Sequence, residues 1–404
     1  MGTLPTHKLS RRDFLRWVGE GTVAVALTGC CAPSKALPTV GTIAPSIAPT
    51  AQPTEAPTPT PDVRLEQKIG QMLMIGFRGL EVSDDHFVVR DIQERNLGGV
   101  VLFDYDVPSE SPVRNIESPV QVEALVASLQ AKADTPLLVA IDHEGGILTR
   151  LKEAHGFPPT KSHHALGEMD DLDATREQAT AMARMLADLG INLNLAPVVD
   201  LNTNPDNPII AKYERSFSAD PETVARHARV FIEAHHALGV RCTLKHFPGH
   251  GSSTGDTHAG WVDVTDTWSD AELEPYTAII KAGLADAVMT AHVFNANLDA
   301  ERPATLSRAT ITTILREELG YDGVVISDDM QMGAITDHYG FETAVQMAIE
   351  AGVDILAFAN NSVYEEDVAA RAAAQLVRLV QTGVIDEARI DASYRRIQRL
   401  KRAM

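Results

Sequence analysis

From residue 63 onward the chain alternates short, unbroken apolar runs with longer amphipathic stretches. Eight runs have the length and branched composition of strands: "QMLMIGF" from 71, "GGVVLFD" from 98, "PLLVAID" from 136, "INLNLAPVVD" from 191, "RCTLKHF" from 241, "AVMTAHV" from 287, "GVVISDD" from 323 and "DILAFAN" from 354. Most are continuously apolar rather than apolar at every second position, so both faces of the sheet are expected to be covered, as in parallel strands flanked by helices. The stretches between them carry helix punctuation. Asp220 suits a cap, Pro221 the first helical position and Gly239 the end of one helix. Similar segments run from Asp173 to Leu189 before Gly190, and from Ser307 to Leu319 before Gly320. Eight strand-helix units predict an α/β protein folded as a closed (β/α)8 TIM barrel, a single catalytic domain over residues 63–404. An open doubly wound sheet is the alternative. It calls for a G-x-G-x-x-G turn after the first strand, where "GFRGLEVSDD" stands instead.

Before residue 63 the alternation is absent. "SRRDFLRW" sets Arg11 and Arg12 ahead of Phe14 and Leu15, and a weakly apolar run from Val18 to Leu27 follows, too short and polar to span a bilayer. Residues 1–29 therefore read as a twin-arginine export signal. The run ends in "LTGC", similar to a lipoprotein box, which makes Cys30 the expected lipidation site; a cleaved signal with an incidental cysteine is the alternative. Residues 30–62, rich in Pro, Thr and Ala, cannot bury enough surface to offset ordering entropy and read as a disordered tether. The expected location is the outer face of the cell membrane, held by the lipid alone, or secretion if Cys30 is not modified.

Composition narrows the partners. A formal net charge of -20 without a basic stripe argues against a nucleic-acid partner and against a polybasic membrane contact. Of three cysteines only Cys242 falls inside the barrel, so no internal disulfide is expected there. Nothing in the sequence indicates an oligomeric state.

Active sites of such barrels sit at the carboxyl ends of the strands. Those ends are polar here: Asp142, Asp200, Lys245 with His246, His292, and Asp328 with Asp329. Any one of them has a structural explanation, a helix cap or a satisfied buried carbonyl. Five strand ends together point to a site that binds many hydroxyls or moves protons. The densest stretch is "KHFPGHGSSTGDTHAG" at 245–260, where Pro248, Gly249, Gly251 and Gly255 put His246, His250, Asp256 and His258 on a loop. Three readings compete. The histidines and carboxylate could ligate a metal, although they lack the i, i+4 helical pair of common zinc motifs. The glycines could serve turning alone. Or Asp256 could orient His258 as a general acid/base on a loop that folds over the barrel mouth.

The string "KHFPGHGSSTGDTH", together with "DHEGG", "GINLNLAPVVD", "RSF" at 215–217 and "GVVISDDM" in that order, resembles glycoside hydrolase family 3, in its β-N-acetylglucosaminidase branch, from about residue 64 to the end. The resemblance implies a retaining exo-glycosidase that removes terminal β-linked N-acetylglucosamine from peptidoglycan fragments or chitooligosaccharides, with no cofactor and no metal. It implies Asp328 as nucleophile, Asp256 and His258 as the acid/base dyad, and Asp142, Arg150, Arg215, Lys245 and His246 as sugar-binding residues. The two arginines could instead form barrel-rim salt bridges. Phosphate in place of water as second nucleophile, or a sugar-binding lipoprotein without turnover, are the rival functions. His143 stands where relatives commonly carry glutamine, and "GILTR" replaces a more polar turn, so the rim near Arg150 is expected to differ. No second domain is expected after the closing helix.

Overall fold

The structure, a computed structural model, describes residues 63–404. The export signal, Cys30 and the tether predicted for residues 1–62 lie outside the described residues. Ten strands occur: β1 (Leu73–Gly76), β2 (Gly99–Leu102), β3 (Leu138–Ile141), β4 (His143–Gly145), β5 (Leu148–Thr149), β6 (Leu193–Asn194), β7 (Arg241–Phe247), β8 (Ala287–Thr290), β9 (Val324–Ser327) and β10 (Leu356–Phe358). The eight apolar runs supply β1 to β3 and β6 to β10, which form one parallel sheet in the order β10-β1-β2-β3-β6-β7-β8-β9. A parallel bridge between Ile326 and Ile355, with Ser327 N donating to Ile355 O at 2.9 Å, joins the two ends into a barrel.

The strands close because their side chains have nowhere else to go. Leu73, Ile75, Val100, Leu138, Val139, Val288, Val325 and Leu356 are all fully buried, and each such side chain contributes about 1.5–3 kcal/mol on leaving water. Helices cover the outside. The helix Pro221–His236 begins where the sequence sets it: the Asp220 carboxylate accepts from Thr223 N at 2.9 Å, and Gly239 takes a left-handed φ of 76° past its end. The helix Leu172–Asp188 starts one residue earlier than the segment read from the sequence, and the Asp171 carboxylate caps it. The helix Ala309–Glu318 is wound wide, and past its end Leu319 N donates to Ile314 O, five residues back.

At the amino end of the barrel, just before β10, a buried carboxylate ties the closure together. Asp354 accepts from Arg316 at 2.6 Å, from Val325 N at 3.0 Å and from the Ser393 hydroxyl at 2.5 Å, with Arg389 and Arg396 at 3.5 and 3.4 Å. One side chain thus joins β9, the helix Ala309–Glu318 and the C-terminal helix Glu387–Arg402. At the opposite end a feature appears that the apolar pattern does not announce. β4 and β5 form a small antiparallel hairpin directly after β3.

Candidate active site

The hairpin organises the first part of the site. His143 pairs with Thr149 and Gly145 with Leu148, so residues alternate between the two faces. Glu144, Leu148 and Arg150 face a cavity at the barrel mouth. His143 and Thr149 lie behind it, the imidazole Nδ1 bonded to the Thr149 hydroxyl. His143 and Thr149 therefore meet each other away from the cavity, while Leu148 and Arg150 of the same "GILTR" turn line it. Burial, with His235 nearby, lowers the His143 pKa to about 3, so this ring is neutral. The return strand brings Arg150 back to Asp142: Arg150 N donates to Asp142 O at 3.2 Å, and its guanidinium to the Asp142 carboxylate at 3.1 Å.

Lys245 stands at the centre. Its ammonium lies 2.7 Å from Asp142 Oδ1 and 2.7 Å from Glu144 Oε1. Glu144 in turn receives both arms of Arg215, at 2.8 and 2.7 Å, a bidentate geometry that favours arginine over lysine. Burial pushes Asp142 upward, yet Lys245 and Arg150 outweigh it and bring the pKa to about 2. Glu144 is likewise held well below the carboxylate range against burial, by Arg215 and Lys245. Burial disfavours the charge on Lys245, but Asp142 and Glu144 raise its pKa. All members of the cluster are charged at neutral pH, and they hold one another in fixed geometry.

His246 extends the cluster toward β6. Its Nδ1 lies 2.7 Å from Asp200 Oδ2 and its Nε2 3.2 Å from Arg215. Arginine can only donate, so Nε2 accepts and the proton sits on Nδ1. Asp200 also accepts from the backbone N–H groups of His246 and His250, at 3.2 and 2.8 Å, which fixes the root of the loop leaving β7. Further along that loop His250 bonds to the Ser253 and Thr257 hydroxyls. His258 Nδ1 lies 2.9 Å from Asp256 Oδ1, which also accepts from His258 N at 2.9 Å. The three imidazoles thus face three different partners, and among the described residues no three His, Cys, Asp or Glu side chains converge as a metal site would require.

Electrostatics differ along the loop. The bond to Asp256 raises the His258 pKa above its ordinary value, opposed by burial and assisted by Asp328. With Nδ1 held by Asp256, the outer nitrogen is the edge that can give or take a proton. At the end of β9, burial pushes Asp328 upward, but His292, His246 and His258 hold it below the usual carboxylate range. Among the described residues its one side-chain hydrogen bond comes from Asp329 N at 2.8 Å. Asp329 is occupied: it accepts from Gln331 N at 3.1 Å and Ala359 N at 2.9 Å, and burial raises its pKa to about 6. His292 is buried below them, its Nε2 2.9 Å from Asp329 O. Asp142, Arg150, Arg215, Lys245, His246, His258 and Asp328 all line one cavity of about 490 Å³, with Asp256 behind His258.

The family described as "Glycosyl hydrolase family 3 N terminal domain" matches residues 64–400. The chain belongs to glycosyl hydrolase family 3. A β-hexosaminidase of Xylella fastidiosa (strain M23) is 38% identical over 341 residues, covering 81% of this chain and 97% of that protein. Against β-hexosaminidase A of Pseudoalteromonas piscicida the identity is 34% over 334 residues, 77% of this chain but 54% of that relative's length. The solved structure of a family 3 β-N-acetylglucosaminidase from Paenibacillus sp. str. FPU-7 superposes with a TM-score of 0.77 at 38% identity, covering 84% of this chain and 62% of the other. The chain thus spans little more than half of two of these family 3 proteins and nearly all of the third.

Within this family 3 barrel, the sequence reading missed two acids of the site. Glu144 sits inside "DHEGG", but only its pairing with Arg215, 71 residues away, gives it a role. Asp104 ends the second apolar run and is buried, 2.5 Å from Lys152 and 3.6 Å from Arg150; reading every strand end would have found it. Arg150 and Arg215 do form ion pairs, as one reading of them allowed, but the pairs line the cavity.

Proposed function

We propose that this protein is a retaining, exo-acting β-N-acetylhexosaminidase that releases terminal β-linked N-acetylglucosamine from peptidoglycan fragments or chitooligosaccharides. The names of its relatives support the activity. One observation carries the mechanism: Asp328, held ionised, and His258, oriented by Asp256, line the same cavity as the Asp142, Lys245 and Arg150 cluster. In the first step an Asp328 oxygen bonds to the anomeric carbon as the glycosidic bond breaks, and the outer nitrogen of His258 delivers its proton to the departing oxygen. In the second, His258 takes a proton from water, the water oxygen bonds to the anomeric carbon, and Asp328 leaves as carboxylate. Lys245 and Arg150 as donors and Asp142 as acceptor would hold the ring hydroxyls in line for attack. The residue pattern of 1–62 supports export and anchoring through Cys30.

Trapping with a slow fluorinated N-acetylglucosaminide, followed by peptide mapping, tests the reading. The expected adduct is on the peptide containing Asp328, and Asp328→Ala is expected to lower kcat on the order of 10⁴-fold. A label elsewhere, or turnover surviving Asp328→Ala, rules it out. Cys30→Ser is expected to move the protein from the membrane fraction to the medium.

A further inference from the structure

His250 belongs to the densest motif of the chain, lines the cavity, and has no part in the mechanism above. We infer that His250 and Thr257 are positioning residues, which hold the Asp256–His258 pair over Asp328 by joining the root of the β7 loop to its tip. The inference rests on the proposed acid/base role of His258.

The contacts run in one line. Asp200 accepts His250 N at 2.8 Å, and Asn207 Nδ2 and the Ser253 hydroxyl donate to His250 O at 2.8 and 2.9 Å. The His250 backbone is thereby fixed from the segment that follows β6 and from its own loop. With the Ser253 proton used on that carbonyl, His250 Nδ1–H donates to Ser253 Oγ at 2.6 Å, and Nε2 is left to accept from the Thr257 hydroxyl at 3.3 Å. Thr257, buried between Asp256 and His258, is held on its other side too. Its carbonyl accepts from Ala334 N at 3.2 Å, in the segment that follows Asp328. There is little slack there, because a Cβ on Gly333 would lie 3.1 Å from His258 O. Burial, reinforced by His246, lowers the His250 pKa to about 4. The ring is therefore neutral at working pH and can accept from a hydroxyl there. His258, by contrast, has a side chain 61% exposed, so its position depends on the residues beside it.

The test compares kcat/KM for two N-acetylglucosaminides. One carries a 2,4-dinitrophenyl leaving group that needs no proton, and the other a methyl leaving group that does. Thr257→Val keeps the shape and removes the hydroxyl. It is expected to lower kcat/KM on the methyl glycoside about 10- to 100-fold through misplacement of the acid. On the dinitrophenyl glycoside the loss stays within about threefold, because no proton transfer is at stake. Thr257→Ser should recover most of the methyl activity. His250→Asn should show the same selectivity as Thr257→Val, and the double variant should lose no more than the worse single one, as expected for one shared element. Equal losses on both substrates, an unaltered methyl rate in Thr257→Val, or fully additive losses would overturn the inference. His258→Ala is measured alongside: if it spares neither substrate selectively, the acid/base assignment itself fails. If it is selective and Thr257→Val is not, only the inference falls.

Discussion

The barrel holds two buried clusters of carboxylates and cations, one at each end, and they are built to different plans. At the amino end Asp354 alone gathers three arginines, a serine hydroxyl and a backbone N–H from three elements, and the bonds lock β9 to β10. At the carboxyl end Asp142, Glu144, Lys245, Arg150 and Arg215 pair with each other just as closely, yet all five open onto a cavity. The chemistry is shared; the difference lies in what the charges face. A cluster turned toward protein fixes the fold, whereas one turned toward a cavity keeps donors and acceptors ready for a ligand.

The comparison can be broken most decisively at Asp354. Asp354→Ala leaves buried guanidinium groups uncompensated and is expected to cost about 3–5 kcal/mol in urea unfolding. Activity per folded molecule should be retained. Lys245→Met should show the converse. Losing one charged hydrogen-bond donor to the ligand is expected to lower kcat/KM about 10- to 100-fold, with a smaller change in melting temperature than Asp354→Ala. If Lys245→Met instead unfolds the protein as readily as Asp354→Ala, the two clusters do not differ in kind. A subtler effect separates charge tuning from packing. As the proposed proton donor His258 has to be protonated, and Asp256 raises its pKa, so kcat/KM is expected to fall as pH rises through that raised value. Asp256→Asn should move this basic limb to lower pH in a pH–rate profile. The smallest effect is expected far from both clusters: Asp220→Ala removes a helix cap and should cost about 1 kcal/mol in thermal unfolding without touching kcat.

The eight strands were legible in the sequence because each is a buried, branched run bounded by punctuation, a signal that needs no tertiary information. The hairpin β4–β5 was not. Its strands are three and two residues long, with Gly146 and Ile147 between them, too short for any period to emerge. The same limit applies to the site. Asp142, Lys245, His246 and Asp328 stand at strand ends and could be read there, while Glu144 gains meaning only through partners at 215 and 245. Alternation could not separate Asp328 from Asp329. Their surroundings do, since the Asp329 carboxyl is tied to two backbone N–H groups from the chain ahead and from the residue after β10, and, among the described residues, the Asp328 carboxyl only to the amide next to it.

The cavity floor is made by Met74, Val101, Leu195, Met289 and Ala357, side chains of the strands and their ends that also pack the barrel interior. The packed barrel interior beneath these side chains closes the cavity on that side. A molecule whose tip is seated at the bottom must project its remainder outward. On the proposed exo action the outer piece would depart before the inner one, and an unbroken polymer would not be threaded through.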